Sequence, residues 1–411
     1  MSTSAFLPAT LLSIADTHGT PTYVYREQTI RERIDALRTH LEGVPVRLLY
    51  AMKANHALPV LEVMRDCGLG IDAVSPAELE LALRMGFEPS DILYSANNMT
   101  DAEMDTAVRS GVVMNIGELS RLERFGAAHP GSDVCVRVNP QVGAGHHAHV
   151  ITAGEKSKFG IPVEQIDRIR DLAAAHDLRI VGLHQHIGSG IMDTQTLWKA
   201  ISVMLETART FDTLRFVNVG GGLGVPYKPE EQPLDLATFE SLIVAPLRSY
   251  GATHPNPALE FRFEPGRFFT AECGVLLARV NTIKPTDSRV FAGLDSGMGH
   301  LVRPAMYNAW HTIVNLSRPD GPVREYDIVG NICESADFFA KNRHVAELAE
   351  GDIVGILDAG AYGMSMASTY NMRPLPAEVW IPVDGPPRLL RKRLTPEEFV
   401  SEYMASFVPG T

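Results

Sequence analysis

Lys53, in the run Tyr50-Ala51-Met52-Lys53-Ala54-Asn55, stands where a β-rich stretch ends. An amine so placed can attack a carbonyl carbon when an apolar pocket or neighbouring charges activate it. A lysine closing a strand is ordinarily a solvated charge, so its company decides the matter. Asp72 lies at the end of the next such stretch, with Ser75 and Glu78 just beyond it. Arg137 precedes Asn139-Pro140, and His184-Gln185-His186-Ile187-Gly188-Ser189 closes a further stretch. Gly220-Gly221-Gly222-Leu223-Gly224 and Glu264-Pro265-Gly266-Arg267 close two more. Three successive glycines usually make a tight turn, but their N–H groups can also cradle an anion. His186 alone would read as a core histidine and Glu264 as a turn acid. Their co-occurrence at strand ends is what points to chemistry.

Elements must bring these residues together. Eight short β-rich runs alternate with amphipathic stretches: roughly Val46–Met52, Gly70–Val74, Ile92–Ala96, Val112–Ile116, Val134–Val138, Ile180–Ile187, Phe216–Val219 and Leu259–Phe263. Helices are expected over Pro76–Met85, Ala102–Arg109, Glu164–His176 and Thr194–Thr210. Ser75-Pro76-Ala77-Glu78 and Thr100-Asp101-Ala102-Glu103 both carry the S/T-x-x-E capping box. Such alternation implies parallel strands with right-handed crossovers, and eight units fit a closed (β/α)8 TIM-type barrel. An open doubly wound sheet is the alternative, but no G-x-G-x-x-G follows the first strand. In a barrel the active site lies at the C-terminal ends of the strands, where the polar residues collect.

After about residue 270 the pattern changes. Val275–Val280, Asp327–Val329, Ile353–Leu357 and Glu378–Ile381 read as strands without long helices between them. The expected organisation is α/β plus all-β: a barrel over residues 27–272, and a β-rich barrel or sandwich built from 273–411 with the N-terminal strand Thr22–Tyr25 of 1–26. Two stretches of the second domain could carry chemistry. One is Gly330-Asn331-Ile332-Cys333-Glu334-Ser335-Ala336-Asp337, where acids flank the thiol; the other is Asp358-Ala359-Gly360-Ala361-Tyr362-Gly363. Cys67, Cys135 and Cys273 read as buried and inert.

The chain of 411 residues carries 37 basic against 49 acidic residues, a net charge of -12. That argues against nucleic acid, whose phosphates need a basic face. No apolar run approaches the roughly 20 residues that span a bilayer. With four cysteines, no C-x-x-C pair and no visible secretory signal, a soluble enzyme of the reducing cytoplasm is expected.

Seven strings in order, Tyr50–Asn55, Gly182–Ser189, Gly220–Gly224, Glu264–Arg267, Arg303-Pro304-Ala305-Met306-Tyr307, Cys333–Ser335 and Asp358–Tyr362, resemble the fold type III pyridoxal-phosphate decarboxylases, the group that includes the alanine racemase-like barrels. The resemblance runs from about Pro21 to Pro382 and implies pyridoxal 5'-phosphate as cofactor. It makes Lys53 the Schiff-base lysine, with Asp72, Glu78 and Arg137 as a polar frame and His186 against the pyridine ring. Ser189, Gly220, Gly221, Gly222, Gly266, Arg267 and Tyr362 become phosphate and cofactor anchors, and Glu264 the partner of the ring nitrogen. Cys333 and Glu334 become residues donated across a homodimer interface. In the same pattern the stretch Gly143–His149, with His146, His147 and His149, is the loop after the fifth strand rather than a zinc site, and no metal is expected.

These roles make chemical sense. Loss of CO2 from an amino acid leaves a carbanion, and a carboxylate at the ring nitrogen keeps that nitrogen protonated, making the ring a better electron sink. Cys333, or an acid it orients, can then return a proton. Arg303, with Tyr307, Arg267 and Tyr362, can hold a distal carboxylate, and Glu334 an ammonium. A far end bearing both groups is what meso-diaminopimelate presents, whereas ornithine or arginine needs no arginine there. The chain departs from the family pattern at Gly299-His300, where Asn-Asp is common, and at Ala336, where Gly is usual. The alternatives are a decarboxylase of ornithine, arginine, a carboxylated polyamine or a carrier-bound amino acid, and a catalytically silent homologue. The silent homologue should have lost Lys53 or Cys333, and both are present.

Overall fold

The computed structural model describes residues 6–143, 152–154 and 157–407. Its chain divides into two units, one comprising Arg31–Pro226 with Gln232–Phe269, the other Met1–Ile30, Tyr227–Glu231 and Thr270–Thr411.

The first unit is a closed parallel barrel. Its strands are β1 (Val46–Ala51), β2 (Gly70–Ala73), β3 (Ile92–Tyr94), β4 (Val113–Ile116), β5 (Asp133–Asn139), β6 (Arg179–His184), β7 (Phe216–Asn218) and β8 (Glu260–Phe263). Each pairs in parallel with the next, and β8 returns to β1 with Phe261 opposite Val46 and Phe263 opposite Leu48. Such strands are covered on both faces, which is why they read as short, nearly continuous apolar runs. Leu49, Leu93, Cys135 and Phe216, from the alternate strands β1, β3, β5 and β7, pack with Val181 into one buried cluster. Gly182 gives Phe216 its room, since a Cβ there would meet the ring at 2.2 Å.

Helix starts follow the local code, with one difference. At Thr100 the capping box is complete, the side chain accepting from Glu103 N and Glu103 reaching back to Thr100 N. At Ser75 only half of it forms: Ser75 Oγ accepts from Glu78 N, but the Glu78 carboxylate turns past the cap to Val74 N at 2.8 Å. The carboxylate is thereby drawn toward the barrel rim. The strand expected through Ile187 stops at His184. Gln185 N still bonds Asn218 O, after which the chain leaves the sheet and reaches Gly188 at φ 151.

In the second unit the described residues form a nine-stranded mixed sheet. Thr22–Arg26 lies inside it, antiparallel to Gly274–Pro285 and parallel to Ala377–Ile381. Val323–Val329 and Ile353–Ile356 are strands, as the sequence suggests. Four more were not apparent: Val290–Leu294, Ile313–Asn315, Phe338–Ala346 and Arg388–Arg391. The helix Pro8–His18 covers the sheet, its Leu11, Ile14 and Ala15 packing on Val24, Val275, Leu277 and Val379.

Candidate active site

Polar residues gather just past the C-terminal ends of the barrel strands. Lys53 sits not on β1 but on the single turn Met52–Ala54 that follows it. Its Nζ donates to Asp72 Oδ2, at the end of β2. Asp72 is 1 % exposed. Burial pushes its carboxyl up and Glu264 adds to that, against the opposing pull of Lys53. Burial likewise raises Glu78, which is half-buried, while its bond from Val74 N opposes the rise. Arg137, on β5, is buried with its guanidinium 4.9 Å from the Phe159 ring centre.

Glu264 is the most tightly held acid of the group. Asn218 Nδ2 donates to its Oε1 at 2.7 Å, and His184 Nε2 donates to Oε2 at 3.0 Å. Burial by itself would raise its carboxyl. His184 and then Lys53 outweigh that and hold it down at about 2, so Glu264 is an anion inside the barrel. Neither His184 nor Asn218 was assigned a role from the sequence. The signal for the first was present: His184 is the last residue of its strand, at the rim where the other polar residues collect.

The glycine turn is built around the same acid. Asn218 Oδ1 accepts from Gly220 N at 2.9 Å, so one amide side chain ties the turn to Glu264. Gly221 N donates to His186 Nδ1 at 3.2 Å, which leaves the ring proton on Nε2 and His186 neutral. Burial, Arg137 and Lys53 hold the His186 pKa well below its usual value. A Cβ on Gly220 would lie 2.2 Å from Gln185 O, and one on Gly221 2.1 Å from Glu264 O. Only glycine fits where the β6, β7 and β8 ends converge. Two of the three amides expected to cradle an anion are therefore engaged within the protein. Arg267 Nε and Nη2 reach Ser189 Oγ at 3.1 and 3.2 Å.

The residues present fit pyridoxal phosphate. A lysine amine stands beside a carboxylate, and an anionic Glu264 is locked by two donors. The rim also has a side-chain-free turn and a Ser189–Arg267 pair suited to a phosphate. Asp72 Oδ1 and His184 Nδ1 are buried without a hydrogen-bond partner among the described residues.

The remaining candidates belong to the second unit. Arg303 opens the short helix Arg303–Tyr307 and is 1 % exposed. Its Nη1 donates to His311 Nε2 at 2.7 Å, and its guanidinium lies 4.4 Å from the Tyr227 ring centre. His311 Nδ1 in turn donates to Leu357 O at 2.8 Å, which fixes the tautomer that accepts from arginine. Tyr307 and Tyr362 are half-buried, the latter at φ 56. Cys333 and Glu334 are exposed, and Cys333 N donates to Asn371 Oδ1 at 2.7 Å. Cys135 and Cys273 are buried as expected. Cys67 is not: it lies half-exposed past the helix Leu58–Asp66, its Sγ 3.5 Å from Arg31 Nη1. Of the three-histidine stretch Gly143–His149, residues 144–149 lie outside the described residues. No group of three or more His, Cys, Asp or Glu suited to a metal occurs among the described residues. No helix among them is long and apolar enough to cross a membrane.

Barrel and rim together define a pyridoxal-phosphate enzyme, and residues 27–271 match the family described as pyridoxal-dependent decarboxylase, pyridoxal binding domain. The diaminopimelate decarboxylase of Methanothermobacter thermautotrophicus is 43% identical over 400 residues, 94% of this chain and 92% of that one. A crystal structure of diaminopimelate decarboxylase superposes with a TM-score of 0.90 at 34% identity, covering 99% of each chain. The Helicobacter pylori diaminopimelate decarboxylase complexed with L-lysine gives 0.88 at 29% identity, covering 97% of this chain and 100% of that one. This chain belongs to the diaminopimelate decarboxylase family.

Proposed function

We propose that the protein decarboxylates meso-2,6-diaminopimelate to L-lysine and CO2 with pyridoxal 5'-phosphate held on Lys53, the last step of lysine biosynthesis. The single observation that carries this reading is the buried Glu264 carboxyl group with a partner on each oxygen, Asn218 Nδ2 and His184 Nε2. When bound, the cofactor supplies a pyridine ring that takes up the electron pair left as the carboxylate departs. The residues of the chain set the conditions for that. Glu264 would keep a proton on the ring nitrogen of the bound cofactor. Asp72 orients the Lys53 amine, and neutral His186 would border the bound ring without adding charge. Ser189, Gly222, Gly266, Arg267 and Tyr362 would hold the phosphate end, and Gly220 and Gly221, whose amides are engaged by Asn218 and His186, keep the turn clear of side chains for it.

The α-carbon loses CO2 and must gain one proton, which Cys333 Sγ delivers. Arg303 and Tyr307 bind the distal carboxylate, and Glu334 the distal ammonium. That pairing favours diaminopimelate over ornithine or arginine. The exposure of Cys333 and Glu334 in the isolated chain supports a homodimer in which each subunit lends this loop to the other's barrel. We place the enzyme in the cytoplasm. Release of CO2 from a panel of meso-diaminopimelate, lysine, ornithine and arginine tests the substrate. The expected result is turnover of meso-diaminopimelate to L-lysine at least about 10²-fold above the others in kcat/KM. Preference for ornithine would remove the reason for naming diaminopimelate.

A further inference from the structure

The loop carrying Cys333 and Glu334 is exposed at four successive positions, Cys333 through Ala336, yet it ends on Asp337, which is 4 % exposed. An exposed turn with a buried carboxylate at its base is an unusual use of an acid, because burying a charge is costly unless it is fully hydrogen-bonded. Here it is. Asp337 Oδ2 accepts from Ile332 N at 2.7 Å, inside the loop, and Oδ1 accepts from Met298 N at 2.6 Å, on a different segment. Its backbone closes the same turn, with Asp337 O accepting from Gly330 N at 3.0 Å and Asp337 N donating to Glu334 O at 3.1 Å. Two glycines make room for the carboxylate. A Cβ on Gly330 would lie 2.4 Å from Oδ2, and one on Gly297 2.9 Å from it. On the other side, Asn371 Oδ1 holds Cys333 N, and Arg373 Nη2 donates to Asn331 O at 3.0 Å.

We propose that Asp337 is a positioning residue that presets the Cys333–Glu334 turn, so that the thiol is delivered in one geometry rather than from a mobile loop. This rests on the reading that Cys333 protonates the substrate in the partner's barrel. Charge-assisted bonds to backbone N–H groups are among the stronger ones available; when the carboxylate becomes an amide, one of the two is lost and the other loses its charge. An amide can accept at one oxygen only, and its NH2 would face an N–H.

The test uses the holoenzyme. Asp337→Asn is expected to keep cofactor absorbance and melting temperature near those of the parent while kcat falls roughly 10- to 100-fold, the scale of a misplaced reacting group. The rate of Cys333 alkylation by iodoacetamide is expected to change several-fold, which a merely structural role elsewhere in the sheet would not produce. Subunit mixing places the defect. Asp337→Asn should recover up to about a quarter of full activity with Lys53→Ala, but nothing with Cys333→Ala, because it and Cys333→Ala spoil the same donated loop. If Asp337→Asn does not fold, Asn371→Ala leaves the carboxylate in place and should give a smaller loss of kcat in the same direction. Parental kcat and alkylation rate in a folded Asp337→Asn, or in Asn371→Ala where the first does not fold, would overturn the inference. Failure of Lys53→Ala and Cys333→Ala to complement, despite proven exchange, would instead overturn the shared-site reading.

Discussion

The barrel rim and the Cys333–Glu334 loop of the β-rich unit hold their candidate residues in opposite ways. On the rim, Asp72 and Glu264 are buried and tied to partners from other strands or their ends, as Glu264 is to His184 and Asn218. In the β-rich unit, Cys333 and Glu334 are exposed, and order comes from the base of the loop, at Asp337. The rim must keep fixed charges apart from water, since an anion at a ring nitrogen works only while it stays an anion. On the proposed shared site, a residue that serves a second subunit is instead offered outward. The contrast predicts that rim substitutions damage chemistry, whereas loop and helix substitutions in the β-rich unit damage substrate choice and proton delivery.

The largest effect is expected for Lys53→Ala, with activity reduced by about 10⁴-fold or more and loss of the cofactor's visible absorbance. Retained colour and turnover would break the rim assignment. Glu264→Gln should keep the cofactor bound yet slow decarboxylation by roughly 10²- to 10³-fold, as for removal of one preorganised charge partner. Because the Glu264 carboxyl is lowered to about 2, the acid is already ionised across the working range. The ratio of parent to variant rates should therefore stay flat between about pH 5 and 9. The sign for stability follows from the same depression. Ionised Glu264 stabilises the barrel above the ordinary carboxylate value, and that contribution is lost as pH falls toward about 2. A ratio that changed steeply near neutrality would mean that Glu264 titrates there.

In the β-rich unit, Arg303→Ala should lower kcat/KM for meso-diaminopimelate by roughly 10²-fold, from an unpaired carboxylate costing about 2–5 kcal/mol. Cofactor absorbance should be unchanged. Equal losses for diaminopimelate and ornithine, with a lower melting temperature, would make Arg303 a structural residue. The smallest effect is expected for Asn218→Ala, which removes one donor from Glu264 and one acceptor from Gly220. A cost of about 1–3 kcal/mol is expected, read as a 10- to 100-fold fall in kcat. An unaltered rate would leave His184 as the sole effective holder of the acid.

Much of the rim was legible in the sequence because its signals are local. Lys53, Asp72 and Glu264 each stand within two residues of a strand end, and the strands announce themselves by apolar runs. What escaped was non-local. His184 and Asn218 meet Glu264 across 80 and 46 residues. The strand Phe338–Ala346 was hidden by its charged centre, Lys341-Asn342-Arg343-His344, whose Asn342 sits at φ 50 with its N–H on Asp327. The half-formed box at Ser75 shows the same limit. The S-x-x-E spacing correctly marks the helix start, but the rim draws Glu78 to Val74 instead.

The central claim is that the chemistry is organised around one amine. Borohydride reduction of the cofactor-loaded enzyme, followed by proteolysis and mass mapping, reads that directly. The account predicts a single pyridoxyl label on the peptide containing Lys53, and none in the Lys53→Ala variant. A label on Lys158 or any other lysine, or an unlabelled Lys53 in active enzyme, would contradict it.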